Sequence, residues 1–306
     1  MTNIIEVTGL KKSYGAVEAV RGIDLRVRAG QFYAFLGPNG AGKSTTIDIL
    51  CTLLQRDSGR VVIDGIEDDD TAVRNRIGVV FQDNLLDKLL TVRENLATRA
   101  MFYNLSAKEL SSRLAEVAEV TGCTEFLDRR YGKLSGGQRR RADIARSLMH
   151  RPKILFLDEP TTGLDPATRM NVWQTVSGLQ KSLGTTVFLT THYMEEAAGA
   201  DYVSVIDNGL ITAHGTPAEL RERYSRDRLT LQPTDMSGAE LALASKGIEY
   251  LRTGGTITVE LESTAHALPA IDAVRPFIKI FEVRSGSLDE AFVNITSVQR
   301  AEVKEV

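Results

Sequence analysis

The chain has 306 residues, 42% of them hydrophobic and 25% charged, which is enough apolar material for two globular domains. Its formal net charge of −3 argues against nonspecific nucleic-acid binding, because that binding depends on Lys and Arg neutralising phosphates. No apolar run approaches the roughly 18 residues of a membrane span, and the N-terminus lacks a signal-peptide core. Cys51 and Cys123 have no metal-ligand spacing, so we expect core thiols in a reducing cytosol.

Residues 4–66 alternate strand signals with turns around one glycine-rich loop. The loop follows the strand-like segment QFYAFLG and consists of Gly37, Pro38, Asn39, Gly40, Ala41, Gly42, Lys43, Ser44 and Thr45. This spacing predicts a P-loop between a buried strand and a helix, where backbone N–H groups face phosphate oxygens. We expect Lys43 to reach the β- and γ-phosphates of a nucleotide and Ser44 to ligate Mg²⁺. On its own, the pattern also fits a structural glycine turn.

The next part of the chain holds an acidic run, a glutamine and a mostly helical stretch. Residues 68–70 are three aspartates after the hairpin signal VVIDG, which we interpret as a solvated turn and not as a metal site. Gln82 follows the strand-like segment IGVVF and, on its own, also fits a surface glutamine. Residues 91–130 have apolar positions at helical spacing and predict a helical region.

The segment LSGGQ comes next and contains Ser135, Gly136, Gly137 and Gln138. A serine followed by glycines is typical of a helix start, and we expect the helix over residues 138–149. The serine hydroxyl and the glycine amides can also donate to a phosphate at such a start. For the basic run at residues 139–141, a solvated or interface face is favoured over a contribution to the field around a nucleotide.

Two later strand-like segments end in residues that suit phosphate chemistry. ILFLDEP ends in Asp158 and Glu159, and TTVFLT ends just before His192. Ligands of parallel sheets bind at the carboxyl ends of the strands. Asp158 is expected there to hold Mg²⁺, usually through water, and Glu159 to polarise the attacking water. In isolation, the acid pair also fits a turn cap and the histidine an ordinary strand-end residue.

These segments, in this order and with TGLD after LDEP, resemble the ATP-binding subunit of an ABC transporter over about residues 4–220. The resemblance implies an α/β P-loop NTPase fold of the ABC type, with a β-rich edge and a helical subdomain at about residues 91–140. It also implies that two such domains close head to tail around ATP and Mg²⁺. The LSGGQ of one subunit then completes the P-loop site of the other.

The resemblance also implies roles for four single residues. Tyr14 matches the aromatic residue that stacks on adenine, although a buried core tyrosine is its alternative. Gln82 matches the glutamine that contacts magnesium and water and moves with the membrane subunit. His192 matches the histidine that contacts the γ-phosphate, and Asp165 in TGLD matches the loop that links the two sites.

The tail at residues 216–306 predicts an accessory domain separate from the ATP-binding domain at residues 1–215. Its segments follow in β-α-β-β-α-β order, which predicts a small α+β ferredoxin-like domain. A final helix is indicated by SLDEAF, in which Ser287 and Glu290 have capping-box spacing. SLDEAF and the tail resemble the C-terminal domain of the daunorubicin-resistance type of exporter ATPase, whose permease is a separate polypeptide.

The favoured function is an ATP hydrolase that powers a separate transmembrane permease exporting drugs, lipids or polysaccharide. We expect it to pair with a second copy of itself or a homologous ATPase, and to lie in the cytoplasm on the inner face of the membrane through the permease. No nucleic-acid partner is expected. The alternatives are a soluble ABC-type switch acting on ribosomes or DNA, and a subunit of an importer. The single P-loop and the short interval from Gln82 to Leu134 favour transport over the switch.

Overall fold

The computed structural model describes residues 2–302, with side chains described for residues 2–297. The chain divides into two compact units, Met1–Thr216 and Pro217–Val306. Each unit has a hydrophobic core of its own. Cys51 and Cys123 are both buried, as predicted. Within residues 2–302, no helix combines the length and the apolar character that crossing a membrane demands.

A three-stranded antiparallel sheet begins the first unit. It consists of β1 (Asn3–Tyr14), β2 (Val17–Arg28) and β4 (Ser58–Ile63), in the order β2–β1–β4. Ile23, Leu25 and Val27 alternate with exposed residues along β2 and point into the core. This alternation is typical of a strand with one buried face. Tyr14 lies at the exposed end of β1.

A six-stranded sheet forms the centre of the unit. Its strands are β3 (Phe32–Leu36), β5 (Ile77–Val80), β6 (Ile154–Asp158), β7 (Thr186–Thr191), β8 (Tyr202–Asp207) and β9 (Leu210–Gly215). They lie in the order β5–β6–β7–β3–β8–β9, and neighbours are parallel except β8 and β9. The parallel strands are almost wholly buried, as expected for a sheet covered on both faces. The carboxyl ends of β5, β6, β7 and β3 therefore lie side by side at one edge.

The helices of this unit are α1 (Lys43–Leu50), α2 (Asp70–Arg74), α3 (Val92–Ala100), α4 (Ala107–Val120), α5 (Gly136–Leu148), α6 (Pro166–Leu183) and α7 (Met194–Ala197). Short 3-10 turns occur at Met101–Tyr103, Thr124–Phe126 and Tyr131–Lys133. The helix expected over residues 138–149 begins earlier, at Gly136, because Ser135 caps it. The acidic run is not only a turn, since Asp69 caps α2 and Asp70 begins it. Residue 140, where the helical subdomain was predicted to end, lies within α5.

The second unit contains α8 (Pro217–Tyr224), β10 (Asp227–Pro233), α9 (Met236–Ser245), β11 (Leu251–Thr253), β12 (Thr256–Leu261), α10 (Ala267–Val274), β13 (Ile278–Arg284) and α11 (Leu288–Glu302). The strands form an antiparallel sheet in the order β11–β12–β10–β13. Leu229 and Leu231 of β10 pack in its core with residues of α9 and α10. At α11, Glu290 N–H donates to Ser287 Oγ at 3.1 Å, while the Glu290 carboxylate pairs with Arg228 at 2.5 Å.

Candidate active site

The glycine-rich loop connects the end of β3 to the start of α1. Gly42 caps α1 with a left-handed φ of 103°, and a Cβ at this position would lie 2.4 Å from Ala19 O. Only glycine tolerates both the conformation and the close approach. Lys43 is buried and turns back over the loop, where its Nζ donates to Gly37 O at 2.8 Å and Pro38 O at 3.0 Å. This strand–loop–helix segment has the local structure that phosphate binding at a helix N-terminus requires.

Strand β6 brings two carboxylates to the same edge of the sheet. Asp158, its last residue, pairs with Thr190 on β7, and its Oδ1 accepts a hydrogen bond from Thr190 Oγ1 at 2.5 Å. Glu159 follows with a φ of 43°, and its N–H donates to Thr190 O at 3.2 Å. A left-handed conformation is costly for a residue other than glycine and persists where the surroundings fix it, which is common at functional sites. This turn brings the Glu159 side chain to the phosphate loop.

Lys43, Glu159 and His192 form one cluster there. Lys43 Nζ lies 3.2 Å from Glu159 Oε1, and His192 Nδ1 lies 3.1 Å from Glu159 Oε2, although without hydrogen-bond angles. Thr162 Oγ1 donates to Glu159 Oε2 at 3.0 Å. The structure thus brings together predicted site residues from the ends of three neighbouring strands, β3, β6 and β7.

The pKa values of the two carboxylates are shifted in opposite directions. Burial raises the pKa of Asp158, since desolvation penalises the charged form; the hydrogen bond from Thr190 opposes this shift and the charge of Glu159 adds to it. Burial also raises the pKa of Glu159, but the opposing effects of Lys43, His192 and Thr162 outweigh it, and the pKa lies below the usual value. Glu159 is therefore ionised at neutral pH, the state in which a carboxylate accepts a proton from water.

A second group of predicted residues lies at the starts of α5 and α6. Ser135 Oγ accepts a hydrogen bond from Gln138 N at 3.3 Å, and Gln138 Oε1 accepts one from Ser135 N at 3.1 Å. Gly137 packs so closely on α6 that a Cβ would lie 2.4 Å from Thr168 Cγ2. Asp165 caps α6 by accepting from Thr168 N at 3.0 Å. Capping uses the Ser135 hydroxyl only as an acceptor, so its proton remains available for an external anion.

Two other predicted site residues are exposed. Tyr14 is 51% exposed, with Lys12 Nζ 5.8 Å from the centre of its ring, so it is not the buried core tyrosine of the alternative interpretation. Gln82 follows β5 with an exposed side chain, and its main-chain carbonyl accepts from Arg140 Nη2 at 2.7 Å. The loop residues Asn39, Gly40 and Ser44 are also exposed.

The sequence pattern of the ABC transporter family matches residues 20–162. The daunorubicin resistance ATP-binding protein DrrA3 of Streptomyces coeruleorubidus is 38% identical, over 97% of this chain and 96% of that protein. The chain belongs to the ATP-binding proteins of ABC transporters. Another relative of this ABC ATPase is the linearmycin resistance ATP-binding protein LnrL of Bacillus subtilis, which is 33% identical over 96% of this chain and 98% of that protein.

A solved ABC cassette has the same fold. The cassette MJ0796, whose dimeric post-hydrolysis structure contains ADP and Pi, matches with a TM-score of 0.63 at 30% identity, over 69% of this chain and 98% of that one. The predicted P-loop NTPase fold of the ABC type is confirmed for the ATP-binding unit. The predicted activity is confirmed at the level of the family: this ABC ATPase binds and hydrolyses ATP.

One buried carboxylate of this ABC ATPase was not predicted from the sequence. Glu196 on α7 is 3% exposed and accepts hydrogen bonds from the hydroxyls of Thr161 and Thr191. Thr161 lies two residues after Glu159, and Thr191 directly precedes His192. Glu196 therefore ties the two segments that carry these side chains. In the sequence MEEA nothing distinguishes it from its exposed neighbour, so the only signal was a glutamate shortly after the histidine.

We predict that Glu196→Ala lowers the free energy of unfolding by about 1–3 kcal/mol, because it leaves two buried hydroxyls without their acceptor. Glu195→Ala removes an exposed carboxylate from the same helix turn and should change stability by no more than about 0.5 kcal/mol. Urea unfolding of both variants measures the difference. Equal losses in the free energy of unfolding would contradict the role of Glu196 as a buried hydrogen-bond acceptor that links the Thr161 and Thr191 segments.

The same residue predicts a pH dependence of stability. Burial raises the pKa of Glu196 above its usual 4.5, the hydrogen bonds from Thr161 and Thr191 only partly opposing it. The folded state binds this proton more tightly than the unfolded state does. The resulting contribution to stability is fully present below about pH 4.5 and is lost as the pH rises through the folded pKa. As the pH rises from about 4.5 through the folded pKa, the free energy of unfolding of the wild type should therefore fall relative to that of Glu196→Gln, which does not titrate. A difference that is constant with pH would contradict the raised pKa.

The basic run at residues 139–141 is not one solvated or interface face, contrary to the favoured interpretation. Arg140 is 5% exposed, and its guanidinium donates to Phe81 O at 2.5 Å and Gln82 O at 2.7 Å. Arg139 and Arg141 are half-buried and bind other carbonyls. With 3.6 residues per helical turn, adjacent side chains point in different directions, so a run of like residues does not define one face.

Proposed function

We propose that the chain is the ATP-hydrolysing subunit of an exporter, and that it drives a separate transmembrane permease through head-to-tail closure of two ATP-binding subunits. The observation that carries the hydrolytic part is the contact of Glu159 with Lys43 and His192 beside the phosphate loop. The export part is supported by similarity to antibiotic-resistance proteins over nearly the whole chain, C-terminal unit included. The proposed cargo is accordingly a drug, a lipid or a polysaccharide.

ATP would be bound by the loop at residues 37–45, with Tyr14 stacking on adenine. Ser44 and Asp158 would hold Mg²⁺, the latter usually through water, and Gln82 would approach it from the loop after β5. These hard oxygen donors suit magnesium, which keeps several waters and takes one or two carboxylates plus substrate phosphates. Among residues 2–297, whose side chains are described, no group of three or more His, Cys, Asp or Glu could hold a metal ion.

Glu159 would act as the general base. Its carboxylate accepts a proton from the water that attacks the γ-phosphate, and His192 donates to the γ-phosphate. When bound, Mg²⁺ neutralises charge on the β- and γ-phosphates. Lys43 pairs with Glu159, and a γ-phosphate offers its ammonium a second anion. Movement of Lys43 Nζ to the phosphate would release the Glu159 carboxylate from its ion pair. Nucleotide binding itself would then make Glu159 available to accept a proton.

The second subunit would be another copy of the chain or a homologous ATPase. Ser135 would donate its free hydroxyl proton to the γ-phosphate on that partner, and Gly136 and Gly137 would bring backbone amides close to it. Asp165, which caps α6 next to Gly137, would link the two sites. The dimeric MJ0796 cassette with ADP and Pi lends support to a paired assembly.

Co-purification and transport together test this function. The tagged full-length chain, extracted from membranes in detergent, should retain one integral membrane protein, which mass spectrometry identifies. Inverted vesicles that contain both proteins should accumulate an amphipathic drug such as daunorubicin with MgATP, and vesicles with the Lys43→Ala chain should not. Co-sedimentation with ribosomes or DNA in place of a membrane protein would favour the soluble switch. ATP-driven uptake in right-side-out vesicles would favour the importer.

We propose that the C-terminal unit is a ferredoxin-like accessory domain that regulates or pairs the subunits. The proposed nucleotide residues all precede Thr216, where the first unit ends. A chain cut after Thr216 should therefore bind ATP with near wild-type affinity but form fewer ATP-dependent dimers or transport less. Calorimetry, dimer mass and melting temperature compare the two chains. A truncated chain that is unfolded, or one that dimerises and transports normally, would contradict this role.

A further inference from the structure

Two arginines of helix α5 bind the main chain of β5 and of the loop after it. Arg146 Nη2 donates to Val79 O at 2.6 Å within β5. Arg140, six residues earlier, donates from Nη1 to Phe81 O at 2.5 Å and from Nη2 to Gln82 O at 2.7 Å. Residues three apart are neighbours on a helix surface, so Arg140, Asp143 and Arg146 follow one another along α5. The two arginines together bind the main chain from Val79 to Gln82.

The carbonyls that Arg140 binds lie beyond the strand ladder. The pairing of β5 with β6 ends at Val80, so Phe81 and Gln82 have no ladder partner in this direction. Two N–H donors on separate nitrogens of one planar guanidinium meet two successive carbonyls, a fixed fork that the single nitrogen of a lysine ammonium does not match in reach or geometry. Arg140 thus supplies a fixed end point for a segment that would otherwise be an unpaired loop.

The two carbonyls that Arg140 binds compensate for the burial of its guanidinium, and the charge of Asp143 on the same helix adds to them. Asp143 is 1% exposed, one turn from Arg140, and its Oδ2 accepts from Tyr131 Oη at 2.7 Å. Its Oδ1 lies 3.8 Å from Arg146 Nε. Taking a charge out of water is costly unless the group is paired and hydrogen-bonded. The charged partners around Arg140 therefore favour a role in holding the Gln82 backbone in a defined position over a role in packing alone.

Ser135 caps the start of the same helix. Arg140 lies five residues further along, so a little more than one helical turn separates the Ser135 cap from the anchor of the glutamine loop. An α-helix transmits displacement along its axis with little deformation over that distance. A movement of either Ser135 or Gln82 must then be accompanied by a movement of the other, or break two charge-assisted hydrogen bonds.

We propose that Arg140 is a positioning residue that couples the two ATP sites of the dimer. It fixes Gln82, which serves the ATP of its own subunit, to the helix whose Ser135 serves the ATP of the partner. This inference rests on the proposed function, because both roles belong to that function. Arg140 contacts neither nucleotide and acts through the backbone of Gln82.

The test is a mutant cycle in the full-length chain. Arg140→Lys keeps the charge but loses the fork, and Arg140→Gln removes the charge. We expect either to lower the single-turnover rate at saturating MgATP by about 10- to 100-fold, the effect of a misplacement of about 1 Å in an active site. ATP affinity of the monomer, measured by calorimetry, should stay within about twofold, because the phosphate loop is untouched. Arg141→Gln is the matched control, since this adjacent arginine binds Gly122 O and not the glutamine loop.

Coupling through Gln82 is separated from a purely structural role by the double variant. If Arg140 acts through Gln82, the variant with both Gln82→Ala and Arg140→Lys should hydrolyse ATP no more slowly than Gln82→Ala alone. If the double variant's loss in hydrolysis rate equals the product of the two single losses, the inference is overturned. An Arg140→Lys variant with wild-type turnover would also overturn it. A Gln82→Ala variant with wild-type turnover would also overturn the inference. It would leave the proposed ATPase standing, provided that Glu159→Gln slows hydrolysis as expected. If Arg140→Gln fails to fold, Arg140→Lys carries the test, with its melting temperature as the stability control.

Discussion

Glu159→Gln is expected to bind MgATP and to hydrolyse it about 10²–10⁴-fold more slowly than the wild-type chain. Glutamine retains the shape of the side chain and its capacity to accept a hydrogen bond from Thr162, which now reaches Glu159 at 3.0 Å. It cannot accept the proton of the attacking water. It also loses the ion pair with Lys43, so Lys43 is free to bind phosphate from the start. Affinity for ATP should therefore be unchanged or higher while turnover falls.

The trapped state gives a second observable. Because hydrolysis is blocked after closure, ATP should hold two subunits together, and light scattering should report twice the monomer mass with ATP but not with ADP. Glu195→Gln is the matched control, since it removes an exposed glutamate near the site and should leave turnover unchanged. Unchanged turnover in Glu159→Gln, measured with the wild-type partner present, would remove Glu159 from the role of general base.

The proximity of Lys43, Glu159 and His192 could be predicted because it depends on the order of the strands in the sheet. Each segment was recognised as a strand that ends in a polar residue, and the carboxyl ends of parallel strands share one edge. The observed order β5–β6–β7–β3 brings Gln82, Glu159, His192 and Lys43 to that edge from four adjacent strands. Local spacing located the P-loop and the acid pair, and the family resemblance singled out Gln82 and His192. Neither could show that Lys43 pairs with Glu159, since that contact depends on the left-handed turn at Glu159.

The residues that support the cluster could not be predicted, because their environment depends on tertiary packing. Glu195 and Glu196 are identical in type and adjacent, yet only Glu196 turns inward to Thr161 and Thr191. Arg140 is one of three consecutive arginines, and its burial depends on where β5 ends relative to α5. Hydrophobic patterns do not reveal such residues, because a charged side chain is buried only where the fold supplies partners for it, and those partners are distant in sequence.

The start of α5 was misplaced for a related reason. The sequence predicted that the helix starts at Gln138, after a glycine turn, and glycine is a poor helix former. In the structure Gly136 and Gly137 form the first turn, because the capping box of Ser135 and Gln138 stabilises it. Gly137 is also needed there for close packing on Thr168. Tertiary contact thus outweighs intrinsic propensity at this helix start.

Ser135→Arg and Lys43→Ala are expected to impair hydrolysis by different routes, and the contrast tests the shared site. Lys43→Ala removes a charge-assisted contact with phosphate and should weaken ATP binding to the monomer by about 1.5–3 kcal/mol, or about 10- to 150-fold. Ser135→Arg should leave monomer binding nearly intact, because the Ser135 hydroxyl serves the ATP on the partner. Hydrolysis should nevertheless be abolished, since a bulky cation replaces the donor at the dimer interface. Calorimetry on the monomer and steady-state ATPase assays give the two quantities.

Ser106→Arg is the matched control for the loss of a helix cap. Ser106 caps α4 with the same capping-box geometry, formed with Glu109, and its side chain is exposed. Both substitutions remove a cap worth about 1 kcal/mol, so they should lower the free energy of unfolding by similar amounts. Only Ser135→Arg should abolish hydrolysis, and mixing it with an excess of Lys43→Ala chains should restore one competent site per heterodimer, formed by the Lys43 of one chain and the Ser135 of the other. If Ser106→Arg reduced turnover equally, or if Ser135→Arg lost monomer affinity as severely as Lys43→Ala, the arrangement in which each LSGGQ serves the partner's ATP would be wrong.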